Sequence, residues 1–281
     1  MSTPPGPPRT HSYHAEAIAL HGDLQTPVLQ KIHPQLYASL PIEGGYSSQD
    51  SHGYRLEGAI SFLSAHTQVA GNVESKPEGG WHTLVTSVVE GLNVLDVVTA
   101  DRVVAQISTN HPQIGYVPKI NFLGTRFENL RITGHPVKLH LDLDFLGPKP
   151  AGDAPYTRAQ AFMQSVATQR SQILAASNLP AAISNRYSQA PSSSADLPSL
   201  ECSLVTHTEG GYPGQSFGHV IDVPGFGKIY LAVLRLEQGG FNKGIPKTML
   251  VNLTMIELEM GCVGSGSATF CQSKINGRND P

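Results

Sequence analysis

The chain has 281 residues, of which 40% are hydrophobic and only 15% charged, and its formal net charge is −3. This length suits one large domain or two smaller ones with a sizeable core. The small negative charge supplies no basic surface for nucleic acid, and no apolar run approaches the roughly 18 residues that cross a bilayer. We therefore expect neither nucleic-acid binding nor membrane insertion.

Residues 1–20 are predicted to form a flexible, proline-rich tail. Pro4, Pro5, Pro7 and Pro8 stand where a secretory signal would have its apolar core. We therefore expect the protein to be cytoplasmic, or to be exported without a recognisable signal peptide.

Residues 21–150 are predicted to be rich in β-strands. Residues 56–71 alternate between the two faces of a strand, and residues 84–109 are dense in valine. Gly91 and the polar residues 99–101 are expected to divide this valine-rich stretch into strand-length pieces.

Residues 151–199 are predicted to be an insertion that combines a helix with a linker. Good helix formers run from 157 to 178, with Thr157 as the expected N-cap, and the Ser- and Pro-rich residues 188–199 read as an exposed linker.

Residues 200–281 are predicted to be β-rich again and to complete the same domain. The segments 228–238 and 247–263 are expected to form adjacent strands, because a turn-rich loop joins them. Glycine (28 residues) and proline (21 residues) are abundant, as in proteins with many short strands joined by turns. The predicted fold is mainly β: an antiparallel β-sandwich or a flattened barrel with an inserted helical segment.

The stretch HLDLD contains the first candidate site. In a strand, His140, Asp142 and Asp144 would share one face, after a bulge or bend expected at Gly134–Pro136. Imidazole and carboxylate groups at alternate positions are ligands for a divalent metal such as Mn, Fe or Ca. The alternative is a solvated strand face without a ligand.

Two more histidines are candidate site residues. His207 lies beside a glycine-rich loop, where functional groups are common, and His219 follows the sequence GQSFG. That sequence has the spacing of a nucleophile elbow around Ser216, but no helix is expected after it, so a glycine-rich turn is the preferred interpretation. His66 is expected to be an ordinary hydrogen-bonded residue of a sheet.

The three cysteines, Cys202, Cys262 and Cys271, allow two interpretations. Cys262 and Cys271 are spaced to bridge a hairpin in an oxidising compartment, whereas buried reduced thiols are favoured without a secretory signal.

Several strand sequences carry a resemblance to a known group. TLVTSVVEGLNVLDVVTADRVVAQIS, FENLRITGHPV, DVPGFGKIYLAVL and TMLVNLTMIELEMG occur in this order. In these segments the chain resembles uncharacterised bacterial β-rich proteins similar to the choice-of-anchor P proteins. The resemblance implies a β-rich protein that is exported or on the cell surface, and it supplies no catalytic residues.

The leading functional hypothesis is a non-catalytic structural or binding β-domain that self-associates as a homo-oligomer. One alternative is an enzyme that uses a divalent metal as cofactor, held by His140, Asp142 and Asp144, or that uses His207 and His219. Another is a binder of a small apolar ligand, because several strands have apolar residues on both faces.

Overall fold

A computed structural model describes residues 10–26, 29–56, 58–74, 79–188, 199–240, 246–261 and 265–280. The strands are, in chain order, β1 (Thr10–Ser12), β2 (Ala15–Thr26), β3 (Gln30–Ser39), β4 (Gly45–Ser51), β5 (Tyr54–Leu56), β6 (Ile60–Phe62), β7 (Ser64–Val73), β8 (Trp81–Val94), β9 (Val98–His111), β10 (Lys119–Asn121), β11 (Arg126–Glu128), β12 (Arg131–Ile132), β13 (His135–Pro136), β14 (Lys138–Leu141), β15 (Ser199–Ser203), β16 (Val205–Glu209), β17 (Gln215–Phe217), β18 (Val220–Val223), β19 (Gly227–Gly239), β20 (Thr248–Met260), β21 (Ser265–Ile275) and β22 (Arg278–Asp280). The helices are a 3₁₀ turn (Tyr156–Arg158), α1 (Gln160–Leu174) and α2 (Ala181–Ser188).

The first large sheet follows the order β13-β12-β9-β8-β6-β5, with β7 also on β8, β4 on β7, and β10 and β11 on β9. All its pairings are antiparallel. The β8–β9 turn lies at Leu95 and Asp96, whose φ angles are 52° and 54°. Residues 99–101 lie inside β9, so the prediction that they end a strand is wrong. The sequence there contains no Gly or Pro to mark the real turn.

The second large sheet follows the order β17-β18-β19-β20-β21-β2-β3, with β15 paired to β19. The pairing of β19 with β20 confirms that 228–238 and 247–263 contribute adjacent strands, within the described residues. The pairing of β2 with β21 joins the two ends of the chain into one sheet.

The two large sheets face each other across one core. Buried side chains of both sheets form a single apolar cluster, and hydroxyl groups link the sheets within it. The Ser87 hydroxyl donates to the Ile18 carbonyl at 2.9 Å, and the Ser273 hydroxyl donates to the Ala105 carbonyl at 3.0 Å. The predicted fold class is therefore confirmed as mainly antiparallel β with a helical insertion. Over the described residues the sheets form a sandwich and do not close into a barrel.

Neighbouring strands of the second sheet change their pleat along one line. In each of them two successive residues face the core, and the alternation then continues with the opposite parity. The φ angles of Ala232 and Cys271, in two of these pairs, are 45° and 50°. The pairs are Ala19 and Leu20 on β2, Phe270 and Cys271 on β21, Met255 and Ile256 on β20, and Leu231 and Ala232 on β19. The change lets one long sheet bend while its apolar residues stay on the core side.

The helical insertion packs on the second sheet. Phe162, Val166 and Ile173 of α1 are buried, as an amphipathic helix requires, whereas Leu174, also expected on that face, is 39% exposed. Thr157 is not the N-cap, because it lies in the 3₁₀ turn and α1 begins after Ala159 without a side-chain cap. The α1 helix ends at Leu174, four residues before the predicted end, and α2 follows as a separate helix.

Two other predictions concern the edges of the domain. The predicted tail over 1–20 is wrong for residues 10–12 and 15–20, which lie in β1 and β2. Residues 1–9 of that tail and residues 189–198 of the predicted linker lie outside the described residues. The expected bend at Gly134–Pro136 is confirmed as the turn of the β12–β13 hairpin, where Thr133 and Gly134 both have positive φ. In the described parts of the chain, no helix has the length and apolarity that a membrane crossing needs.

Candidate ligand groove and histidine pair

A surface groove lies beside a small antiparallel sheet made of β14 and β16. It has a volume of about 690 Å³, and residues from the β11–β13 region form its other wall. Its apolar lining consists of Phe127, Leu130, Pro136, Val137, Leu139 and Leu141, and its polar groups include Arg126, Asn129, Lys138 and Glu209. A groove of this size, mostly apolar and with few charges, suits a small molecule.

The exposed face of the β14–β16 sheet carries two histidines opposite each other. His140 and His207 are direct cross-strand partners, and their ring centres are 5.8 Å apart. Directly opposed residues of an antiparallel pair have their side chains on the same face. Two candidates from distant parts of the sequence therefore form one pair.

Glu209 completes this face and was missed by the sequence analysis. Its Oε1 atom lies 3.1 Å from Nε2 of His140 and 3.9 Å from Nε2 of His207. Lys138 lies 3.3 Å from the other carboxylate oxygen, and hydrogen bonds from Lys138 and His140 lower the pKa of Glu209. The alternation of residues along β16 could have revealed Glu209, because it follows His207 by two positions and shares its face.

The structure does not place Asp142 and Asp144 on a strand with His140. The β14 strand ends at Leu141, and Asp142 accepts a hydrogen bond from the backbone N–H of Asp144 at 3.0 Å. This side-chain-to-backbone bond makes a local turn, which ends the alternation on which the predicted row depended. Within the part of the chain that the structure describes, no group of three or more His, Cys, Asp or Glu side chains is placed to hold a metal ion.

His219 is fully buried, so it is not exposed to a ligand at the surface. Its Nε2 atom lies 2.7 Å from the hydroxyl of Tyr187 on α2, and its Nδ1 atom has no hydrogen-bond partner among the described residues. Burial lowers the pKa of His219 to about 3. Ser216 hydrogen-bonds Thr208 and the Gly218 carbonyl, so it has the contacts of a turn residue rather than those of a nucleophile beside a base.

Next to His219, charged side chains attach α2 to the second sheet. Arg186 donates to Glu201 at 2.7 Å and to Glu257 at 2.9 Å, and Arg235 bonds the same two carboxylates. The guanidinium of Arg186 also lies 3.9 Å from the ring centre of Tyr230. Each carboxylate is bonded by two arginines, so we interpret this network as a structural contact between α2 and the sheet.

The remaining sequence candidates have ordinary surroundings. His66 is in β7, as expected, and its Nδ1 atom lies 2.7 Å from Oδ1 of Asp50 on β4. Cys202 and Cys271 are free and buried, and burial raises the pKa of both thiols. Cys262 lies outside the described residues, so its redox state stays a prediction.

The architecture places the chain among antiparallel β-sandwich proteins. Residues 11–237 match the family described as a domain of unknown function (DUF8256), and the chain belongs to this family. No curated protein and no solved structure matches the chain. The similarity to choice-of-anchor P proteins stays a prediction.

Proposed function

We propose that this protein is a non-catalytic binding module whose ligand occupies the groove beside the β14–β16 sheet. The observation that carries the proposal is the combination of an apolar lining and a few charged groups in this groove. The ligand is a small molecule with an apolar body, which Leu139, Leu141 and Phe127 contact. Apolar contact supplies most of the affinity, and the charged groups select the orientation.

The charges at the groove define the chemistry of the ligand further. Arg126 is bonded to Glu128 at 2.7 Å and Lys138 to Glu209 at 3.3 Å, so each cation already has a carboxylate partner. A ligand with one weakly anionic group competes for these exposed cations without a large desolvation cost. The preferred ligand is therefore largely apolar, with at most one negative group.

The proposal is tested with a fluorescent probe that has the same chemistry, 8-anilinonaphthalene-1-sulfonate. The folded protein is expected to bind it at one saturable site, and Leu139→Arg is expected to abolish this binding because the new charge enters the apolar groove. Leu123→Arg is the matched control, since Leu123 is exposed and lies outside the groove lining. Near-ultraviolet circular dichroism verifies that each variant keeps its native packing.

Two results would contradict the groove as the site. One is saturable binding with the same affinity in Leu139→Arg and the original protein. The other is equal weakening in Leu139→Arg and Leu123→Arg, which would indicate a general surface effect. Leu139→Ala gives a milder second variant if the arginine disturbs folding.

A further inference from the structure

His140 and His207 lie on the exposed face of the β14–β16 sheet and are not among the residues that line the groove. Antiparallel pairing of β14 with β16 fixes the two Cα positions opposite each other, at His140 and His207. Their Nε2 atoms both approach the same oxygen of Glu209, at 3.1 Å and 3.9 Å. The two imidazoles therefore lie beside one carboxylate oxygen on the same face of the sheet, with their ring centres 5.8 Å apart.

This arrangement has the chemistry of a chelate. Imidazole is a preferred ligand of Zn²⁺, Ni²⁺ and Cu²⁺, and a nearby carboxylate stabilises the bound charge. The side chains of His140, His207 and Glu209 are 43%, 65% and 47% exposed, so their rotamers can adjust while the strands hold the backbone.

We propose that His140 and His207 chelate one divalent transition-metal ion of the Zn²⁺, Ni²⁺ and Cu²⁺ group, with the Glu209 carboxylate nearby to balance the charge. Water supplies the remaining ligands, because the face is open to solvent. This pair differs from the predicted row of His140, Asp142 and Asp144. Glu209 also lines the groove, whereas the two histidines do not.

The test uses the full chain without a histidine tag. Isothermal titration with ZnCl₂ and with NiCl₂, in a buffer that does not bind metals, is expected to show one saturable ion per chain. His140→Ala and His207→Ala are each expected to lose this binding, because a single imidazole is not a chelate. Glu209→Gln is expected to weaken it about tenfold, because the negative charge that favours the neighbouring cation is lost.

His66→Ala is the matched control, because His66 also contacts a carboxylate but is paired across the strands with Asp50 and Val88 rather than with a second histidine. Its metal binding is expected to equal that of the original protein. Electron paramagnetic resonance with Cu²⁺ gives a second measurement: two coordinated nitrogens are expected in the original protein, and any residual Cu²⁺ on His207→Ala is expected to have at most one.

The proposal is overturned if the original protein shows no saturable ion up to millimolar metal. It is equally overturned if His140→Ala and His207→Ala bind as the original protein does, or if the Cu²⁺ spectrum has the same nitrogen count in the original protein and in His207→Ala. Thermal unfolding of each variant without metal shows whether it is folded before the comparison is made.

Discussion

Two buried histidines are expected to lower the stability of the folded protein in acid. His219 and His111 both lie in the interior, and burial, the largest effect for each, lowers their pKa values to about 3. In the unfolded chain a histidine has a pKa of about 6.5. Between these values the unfolded state binds more protons than the folded state, so stability is complete above about pH 6.5 and is lost as the pH falls towards 3.

His219→Gln tests this account at one residue. The glutamine amide can still form a hydrogen bond with the Tyr187 hydroxyl, but it does not titrate. Each buried histidine is expected to contribute up to about 1.4 kcal/mol of lost stability per pH unit below 6. Urea unfolding at a series of pH values between 4 and 7 is therefore expected to show a shallower pH dependence in His219→Gln. Equal slopes in His219→Gln and the original protein would refute the account.

At the residue scale, the sequence was enough to choose candidate site residues, but it did not predict their surroundings. His140 and His207 were both candidates, because residue type and position in a strand can be read directly. Their partnership depends on the register of β14 with β16, which are separated by the whole helical insertion. The burial of His219 depends on Tyr187 from α2, and no local pattern encodes that contact.

At the scale of elements, the network under α2 determines how the helix is attached to the sheet. Arg186→Met would leave Glu201 and Glu257 with Arg235 as their remaining partner among these contacts. We expect a loss of about 2 kcal/mol in unfolding free energy, less than for a fully unpaired buried charge. Arg126→Met is the matched control, because Arg126 forms an equally short but exposed pair with Glu128.

Chemical denaturation of these two variants gives the comparison. The exposed pair is expected to be worth less than about 1 kcal/mol. If both variants lose the same stability, the network under α2 contributes no more than an ordinary surface ion pair, and its proposed structural role is wrong.

A second prediction at this scale concerns the β18–β19 hairpin. Gly225 and Gly227 both have positive φ, but only at Gly227 would a Cβ atom clash with backbone, at the Glu259 carbonyl oxygen of β20. Gly225→Ala is expected to cost about 1–2 kcal/mol, for the backbone conformation alone. Gly227→Ala is expected to cost about 3 kcal/mol or more, because β19 and β20 must also separate. Thermal unfolding of the two variants measures these costs. An equal cost would mean that the close approach of β19 to β20 at Gly227 is unimportant.

Strand and helix content was predictable from the sequence because valine-rich segments and the amphipathic pattern of α1 are local signals. The exact ends were less predictable. The turn at Leu95 and Asp96 has no glycine, and the pleat changes at Ala232 and Cys271 have no sequence marker. The pleat changes follow from the bending of the second sheet. Both they and the turn are decided by long-range packing.

At the scale of the whole molecule, the sandwich and the β19–β20 pairing were predictable, and the rest of the strand order was not. Pairing of β2 with β21 brings together residues from opposite ends of the chain, and no periodicity in either segment specifies that partner. The groove is a product of the same long-range order, because β11, β14 and β16 meet there only after both sheets are assembled. The sequence suggested an apolar ligand inside the β core because several strands are apolar on both faces. The ligand site that we propose is instead a groove at the surface.

The measurement that tests the binding function most directly is mass spectrometry of small molecules extracted from the protein after purification under native conditions. The original protein and Leu123→Arg are expected to yield the same largely apolar compound in near-stoichiometric amount, and Leu139→Arg is expected to yield none. Recovery of that compound from Leu139→Arg at the level of the original protein would contradict the groove as its site. Absence of any compound from the original protein, together with no saturable probe binding, would contradict the binding function itself.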